Sequence, residues 1–586
     1  MRSQHPRRPF LPKNARQEGS AIPVGDHMFQ IVEILLSYCF DRYIIRRNDS
    51  WLRLTRPKRQ ERDMDITRRS FVGGTAATLA LGLAGLGIAL PQAQADTAGK
   101  TFTFAIGGDP GNMINVVTTT DRWGSMVVKT LYSPLWMYNE DGVNYFLAES
   151  YDISDDALTV TAHLREGVTW SDGEPFTAED VVFTFNTIAN EPSASAYVNL
   201  NYGEQGVVEA TTVDDLTVDF TFPFVKANAV EMLSAIFVMA KHVYDGVTDF
   251  GSSELNTQPV GTGPFTLADY QAGSYVQLTA RPDYFLGAPK VDSVVYRFVA
   301  NENTAMQAIQ TGDVDAWVGT PATVEQINLD ANNLALYAFD EGRIAYMMIN
   351  ALRVPDQRVR QAFLFALNKE EIAIASMLSA EYYADAWTYL PPTSPWATED
   401  VEKYERDLDK ARALLEEAGQ PSPTFTIAYA SDDSLQQVAA VLMQEQAAEA
   451  GITVELVGVE ANALWQAIMD PENNPYDMYY TGYIRGIDPD TFSDLFVSLS
   501  RSTKNFMYYE SPELDELFDQ GRTETDEAKR HEIYDETQRK VQELACFYPM
   551  YSNRRLLVAN KRVSSVEEAG LVPIYTFEDL SKIEVE

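Results

Sequence analysis

The sequence predicts an α/β fold, and three observations carry the prediction. Thr424 to Tyr429 alternates as a strand does, Leu435 to Ala450 has helical spacing and stops at Gly451, and Ile452 to Val457 alternates again. Strand, helix and strand in that order form a βαβ unit, which sets parallel strands side by side through a right-handed crossover. Ala411, Leu414, Leu415 and Ala418 repeat at helical spacing just before it, and Gly419 and Pro421 stop that helix. Far upstream, Leu158 to Leu164 is rich in β-favouring residues, and Trp170-Ser-Asp-Gly173 supplies turn chemistry after it. Thr177 with Asp180 three residues on has the spacing of a capping box, ahead of the amphipathic run Val181, Val182, Phe183, Phe185.

The N-terminus sets the compartment. Thr67-Arg68-Arg69-Ser70-Phe71-Val72 is a twin-arginine motif, Phe71 to Leu90 is uncharged and rich in Ala, Gly and Leu, and Ala93-Gln94-Ala95 has the small-x-small form of a signal-peptidase site. Residues 64–95 are therefore expected to be a twin-arginine export signal, cut after Ala95, with no cysteine at the cut to take a lipid. A membrane anchor is the alternative, since the apolar run is long enough to span a bilayer. Residues 1–63 are basic and irregular, and Met64 stands four residues before Arg68. They are expected to be a mis-called upstream extension, with translation starting at Met64.

The removed part holds 15 Lys+Arg and 8 Asp+Glu of the chain's 46 and 85, so the mature 491 residues hold 31 and 77, a net −46. That length supports more than one domain. The acidity argues against nucleic acid and anionic membrane surfaces as partners. A cationic ligand would suit that acidity, but acidic residues spread over a solvated surface explain it better. Cys546 is the sole mature cysteine, so no internal disulfide forms. His163, His242 and His531 lie far apart with no metal spacing, and no metal or cofactor is expected. No G-x-S-x-G, Walker A or H-E-x-x-H string is present, so the chain is expected not to be an enzyme.

The string Leu164 to Phe185, LREGVTWSDGEPFTAEDVVFTF, resembles the hallmark block of the family 5 extracytoplasmic solute-binding proteins of ABC importers. Further blocks resemble the family in order: Pro259-Val-Gly-Thr-Gly-Pro-Phe265, Arg281-Pro-Asp-Tyr-Phe285, Gly312-Asp-Val-Asp315, Arg358 to Phe363 and Asp409 to Gly419. Between them, Phe265 to Tyr270, Val276 to Ala280 and Val291 to Val299 read as strands, and Thr304 to Gln310 as a helix. The resemblance runs from about Lys100 to the C-terminus.

It implies a two-lobe periplasmic binding protein fold, of the large type II cluster with an extra subdomain. Lobe 1 would span 96–335 with the inserted part at about 131–245, lobe 2 would span 336–545, and 546–586 would return to lobe 1, with hinges near 335 and 546. It also implies a monomeric periplasmic receptor that encloses a peptide-like solute between lobes and delivers it to a cognate ABC permease and ATPase complex. A binding module for sensing or chaperoning is the alternative role, and an oligosaccharide, opine or anionic solute the alternative ligand.

The resemblance places the segment Tyr479 to Phe492 on the cleft. Many peptide-binding relatives have an Asp three residues before the acid-Pro pair, gripping the peptide's amino group. Counting back from Asp488-Pro489, that place is Arg485 here. A guanidinium fork suits a carboxylate, phosphate or diol. Arg485, with Tyr483 and Asp488, is thus expected to bind solute. Alternatively Arg485 pairs with a structural acid such as Asp488 or Asp490. The loop carrying Thr120, Arg122 and Trp123 is expected to touch ligand, as is Trp387, with Tyr383 and Tyr389 beside it in an aromatic loop. Tyr132 and Trp136 read as core.

Overall fold

The computed structural model describes residues 100–111, 114–119, 121–190, 200 and 205–586, all within a compact unit spanning Ala95–Glu586. The extension 1–63, the signal residues Arg68, Arg69, Phe71, Ala93 and Ala95, and Thr120 lie outside the described residues.

The strands in chain order begin with β1 (Thr101–Ile106), β2 (Trp136–Asn139), β3 (Gly142–Tyr145), β4 (Ala148–Ile153), β5 (Thr159–Leu164), β6 (Glu209–Asp214) and β7 (Thr217–Thr221). Next come β8 (Phe265–Gln271), β9 (Tyr275–Ala280), β10 (Ser293–Phe298), β11 (Ala316–Gly319) and β12 (Leu334–Ile349). Then follow β13 (Tyr383–Asp385), β14 (Thr424–Ala430), β15 (Thr453–Val459), β16 (Met478–Ile484) and β17 (Phe547–Asn560). One sheet runs β15-β14-β16-β12-β17-β11-β1-β10-β9-β8, with β13 attached to β17. Strands β4 to β7 form a separate antiparallel sheet, and β2 and β3 a hairpin.

The βαβ expectation is met. β14 and β15 pair in parallel across the helix Ser434–Glu449, whose start is fixed by Asp433 accepting from the backbone N–H of Leu435 and Gln436. Helices also form where the spacing placed them at Glu302–Thr311, Gln357–Ala366 and Leu408–Glu417. Gly312 ends the first of these in the left-handed conformation, at φ +79°.

β12 and β17 are the frame of the molecule. At 16 and 14 residues they are far longer than ordinary strands, and they pair antiparallel along nearly their whole length. The pairing slips between Asp340 and Arg343 and again between Ala345 and Tyr346. A bulge bends its strand and re-aims side chains. Here Gly342, at φ +66°, sits inside the first slip, and Asp340 accepts from its N–H at 2.7 Å and from Ser552 Oγ at 2.9 Å. β12 begins at 334 and β17 at 547.

Three buried clusters flank this frame. One joins the β4–β7 sheet to the β1, β9 and β10 side through Trp136, Trp170, Phe185 and Phe220. A second packs Phe363, Ile427 and Met443 on the helical side, and a third packs Tyr346, Phe496, Phe518 and Phe547. Tyr132 and Trp136 are core, 1 % and 0 % exposed.

The motifs that stand apart in sequence meet in space. In the Leu164–Phe185 block, the carboxylate of Asp180 accepts from the Thr177 N–H at 3.0 Å, Trp170 Nε1 at 3.3 Å and the Lys241 N–H at 2.9 Å. One half of the expected capping box is therefore present, and the same acid also ties the turn and the helix Lys241–Tyr244 to the helix Ala178–Asn190. Ser171 donates its N–H to the Gly261 carbonyl at 2.9 Å, and Arg281 adds donations to the carbonyls of Gly261 and Thr169 at 3.2 Å each. The three blocks form one lock on the end of the helix Arg122–Leu131. None of the three contributes to the lining of the cavity described below.

Candidate functional site

A cavity of about 560 Å³ opens beside the kink in β12, within the range of small-ligand sites. Several pieces of chain wall it, among them Glu231 with Ala235, and Thr393. The β2–β3 hairpin contributes Met137 to Asp141, held in place by Trp136 Nε1 donating to the Val230 carbonyl at 2.9 Å and the Tyr138 N–H donating to Ser234 Oγ at 2.7 Å. The β12 kink contributes Phe339, Asp340 and Gly342. Ile484, Gly486 and Ile487 come from the end of β16, and Glu567 with Gly570 to Tyr575 from the C-terminal segment. That last segment holds Ile574 and Thr576 at φ +64° and +72°. β-Branched residues there are strained, and such strain persists where surrounding structure over-determines it, often at binding sites.

Six lining residues are acidic: Glu140, Asp141, Glu231, Asp340, Glu567 and Glu578. Among the described residues no Lys, Arg or His lines the cavity. The wall disfavours its own charge. Burial pushes the Glu231 carboxyl well up, the charge of Asp488 adds to this, and the Asp488 and Ile487 N–H groups and Arg530 offset part of it. Burial, then Asp141 and Asp340, raise Glu140. Burial raises Asp340 despite the Gly342 N–H, Ser552 and Arg554.

Behind the cavity lies a buried charged clasp between residues about 260 apart in sequence. Lys226 Nζ meets Asp490 at 2.5 Å, and Asn228 donates to Asp488 at 3.0 Å. Arg530 grips Asp488 with two parallel bonds of 2.7 and 3.0 Å, and Arg522 reaches Asp490 at 3.3 Å. The Asp488 N–H donates to Glu231 at 3.3 Å. Burial raises the Asp490 carboxyl, but Lys226 and Arg522 outweigh it and hold it below its usual range. For Asp488 burial wins over Arg530, and the carboxyl is raised. Breaking one partner of such a buried network is costly. The clasp joins the 226–231 segment, in the stretch expected to be inserted, to the 488–490 turn, next to the lining residues Glu231 and Ile487.

The residues that the sequence brought forward take other positions. Asp488 is the centre of the clasp and lies one residue from the lining residue Ile487. Arg485 stands between Ile484 and Gly486 yet outside the lining; its guanidinium is ion-paired with Asp494 and donates to the Thr491 carbonyl at 3.0 Å. Its structural partner is thus Asp494, in place of Asp488 or Asp490. Tyr483 packs against Tyr346 and Phe492, with Arg485 over its ring at 5.2 Å. Its hydroxyl is buried without a hydrogen-bond partner among the described residues. Arg122 pairs with Glu341 at 2.6 Å, and Trp123 lies against Gly107 and Gly108 at the end of β1, where a Cβ would come within 2.8 and 2.6 Å of the indole. Trp387 is covered by Lys369 and Lys403 at 3.7 and 4.6 Å. Tyr383 and Tyr389 are buried in the cores.

Sequence reasoning missed Lys226, Asn228, Glu231, Arg522 and Arg530. Lys226 alone carried a signal, as a single cation in the apolar stretch Phe222-Pro-Phe-Val-Lys-Ala. Among the described residues no group of three or more His, Cys, Asp or Glu is placed to hold a metal ion, and no helix is long and apolar enough to cross a membrane.

A cavity of this size, walled by distant segments beside a bulged strand pair in a mixed α/β sheet, is the kind of site a solute-binding protein uses. Residues 142–504 match the family described as bacterial extracellular solute-binding proteins, family 5 middle, and the chain belongs to that family. It is similar to the ABC transporter substrate binding protein CtaP of Listeria monocytogenes, whose crystal structure it matches with a TM-score of 0.78 at 33 % identity, over 83 % of this chain and 99 % of that one. The oligopeptide-binding protein AppA of Bacillus subtilis is 28 % identical over 469 residues, covering 74 % of this chain and 83 % of AppA. The structure of AppA in complex with a nonapeptide matches with a TM-score of 0.66 at 25 % identity, over 83 % of this chain and 99 % of AppA. The dipeptide-binding protein of Escherichia coli K12 is 26 % identical over 486 residues, 78 % of this chain and 89 % of its own.

Proposed function

We propose that this protein is the peptide-capturing component of an ABC importer. In this reading it leaves the cytoplasm by the twin-arginine route, is cut after Ala95, and works in the periplasm as a monomer. An open form admits a short peptide or peptide-like solute to the cavity, and residues 96–335 with 546–586 close on 336–545 about hinges near 335 and 546. The closed form docks on its permease, whose ATPase drives release inward. The protein performs no chemistry on the solute. A solute favours closure only by binding the closed form better than the open one.

The observation that carries the reading is the 560 Å³ cavity, next to the Lys226–Asp490 and Asn228–Asp488 contacts, in a chain of the solute-binding family. The oligopeptide- and dipeptide-binding relatives supply the solute class. Calorimetric titration of the exported protein with pools of di- to pentapeptides tests it. At least one pool is expected to bind with a Kd near or below ~1 μM, about −8 kcal/mol. Failure of every pool at millimolar concentration would remove peptides from the proposal.

A further inference from the structure

We infer that the solute presents a cationic group to this cavity and that Glu231 is the specificity-determining carboxylate that receives it. The inference deepens the peptide reading and rests on it for the site, while its chemistry comes from the cavity wall alone.

The mature chain carries 77 acidic and 31 basic residues, so an acidic wall by itself is unremarkable. The cavity departs from that ratio, with six acids and no base among its lining residues. None of the six forms an ion pair among the described residues, although ion pairs are frequent elsewhere in the molecule. Their bonds are to uncharged groups: Asp340 to the Gly342 N–H and Ser552, Glu578 to Asn139 at 3.4 Å, and Glu231 to the Asp488 N–H. A concave wall of one sign focuses its field into the enclosed space and concentrates the opposite charge there.

Glu231 is distinguished by how it is held. It sits half-buried in the helix Ala229–Met232, beside Ser234 and Ala235, which anchor the β2–β3 hairpin. Its carboxylate lies against Gly486, where a Cβ would stand 3.2 Å from Oε1 and where φ is +99°, so glycine alone leaves it room. Gly486 directly follows Arg485. Here the cation Arg485 is neutralised by Asp494, and an acid reaches the neighbouring position from a segment 255 residues earlier in the chain. The groups behind Glu231 are already matched, Arg530 with Asp488 and Lys226 with Asp490. The cavity side is the one left without a counter-charge. The burial that raises the Glu231 carboxyl is offset when a cation enters.

The test is calorimetry of the wild-type exported protein and of Glu231→Gln with four probes: trialanine, a tripeptide with two lysines flanking alanine, one with two glutamates flanking alanine, and spermidine. Glutamine keeps the bond to the Asp488 N–H and removes only the charge. The lysine tripeptide is expected to bind at least about tenfold tighter than trialanine, and to lose about tenfold or more in Glu231→Gln, as for a hydrogen bond to a charged group. Its affinity is also expected to fall as salt shortens the screening length from ~10 Å at 0.1 M to ~3 Å at 1 M. Equal binding of all three tripeptides, unchanged by Glu231→Gln, would overturn the inference and leave the peptide reading intact. Binding of spermidine and of no tripeptide would uphold the cation and remove the peptide. If Glu231→Gln does not fold, the wild-type salt series decides: an affinity for the lysine tripeptide that is flat from 0.1 to 1 M overturns the inference.

Discussion

Arg530→Met is expected to lower the free energy of unfolding by about 3–5 kcal/mol, the cost of removing one partner from a buried pair. Arg530 is 4 % exposed and Asp488 2 %. The guanidinium gives Asp488 two bonds and Gly521 a third at 2.9 Å, and stacks over Trp396 and Tyr534 at 4.6 and 5.0 Å. Methionine replaces much of the stem's volume but leaves Asp488 in the interior with only Asn228 and the Asp490 N–H. The charge then lacks the compensation that made its burial tolerable. Urea denaturation at neutral pH is the measurement. The double variant Asp488→Asn with Arg530→Met is expected to regain a large part of the loss, because the stranded charge is gone. Arg501→Met, which breaks the exposed pair with Asp519, is the control and is expected to cost less than about 1 kcal/mol. An Arg530→Met protein within about 1 kcal/mol of wild type would show that the clasp holds nothing together.

Gly261→Ala is expected to cost more than about 3 kcal/mol, beyond the usual range for an added methyl. A Cβ at Gly261 would stand 1.9 Å from the carbonyl oxygen of Leu131 and 2.8 Å from its carbon. Neither side can retreat. The Leu131 carbonyl accepts from the Gly263 N–H at 2.9 Å, and the Gly261 carbonyl accepts from Ser171 and Arg281. The obstacle is backbone rather than the flexible end of a side chain, so a rotamer change cannot relieve it. Gly251→Ala, where the nearest atom would be Asp249 Oδ1 at 3.7 Å, is the matched control and is expected to fall within about 0.5 kcal/mol of wild type. Thermal unfolding of both, followed by circular dichroism, tests the pair. Equal midpoints would mean that the lock between the three motifs carries no weight.

These two sites show what the sequence could and could not disclose. The βαβ unit at 424–459 was legible because its information is local: periodicity, an Asp cap and a stopping glycine all lie within one segment. The family blocks were legible as strings, and the structure gives their physical content, a steric lock in which Gly261, Ser171 and Arg281 meet. The frame was harder to read. β12 and β17 carry Asp340-Glu341-Gly342-Arg343 and Arg554-Arg555 in mid-strand, which interrupts the alternation that marks a strand. Those interruptions are the bulge that makes room for the cavity and the charges that surround it.

The site was the least legible part, because its chemistry is an encounter between distant segments. Asp488 was visible, but its partners stand 42 residues later and 260 residues earlier. No periodicity connects Lys226 with Asp490 or Glu231 with Gly486. Arg485 suggested a carboxylate, phosphate or diol on the solute, because its partner could not be seen in the sequence. Its charge is matched locally by Asp494, nine residues on, while the cavity beside it is lined by carboxylates. A residue's place in a motif fixes where it lies; its charge balance depends on neighbours that only the fold supplies.

The central claim is that this chain captures a small solute and returns it unchanged. Native mass spectrometry of the protein, gently purified after export and then denatured to release what it holds, tests that most directly. The account predicts one small molecule per chain, released with the mass it had when bound and rebound when added back to the emptied protein. Release of a cleaved or otherwise altered molecule, with turnover on re-addition, would contradict it.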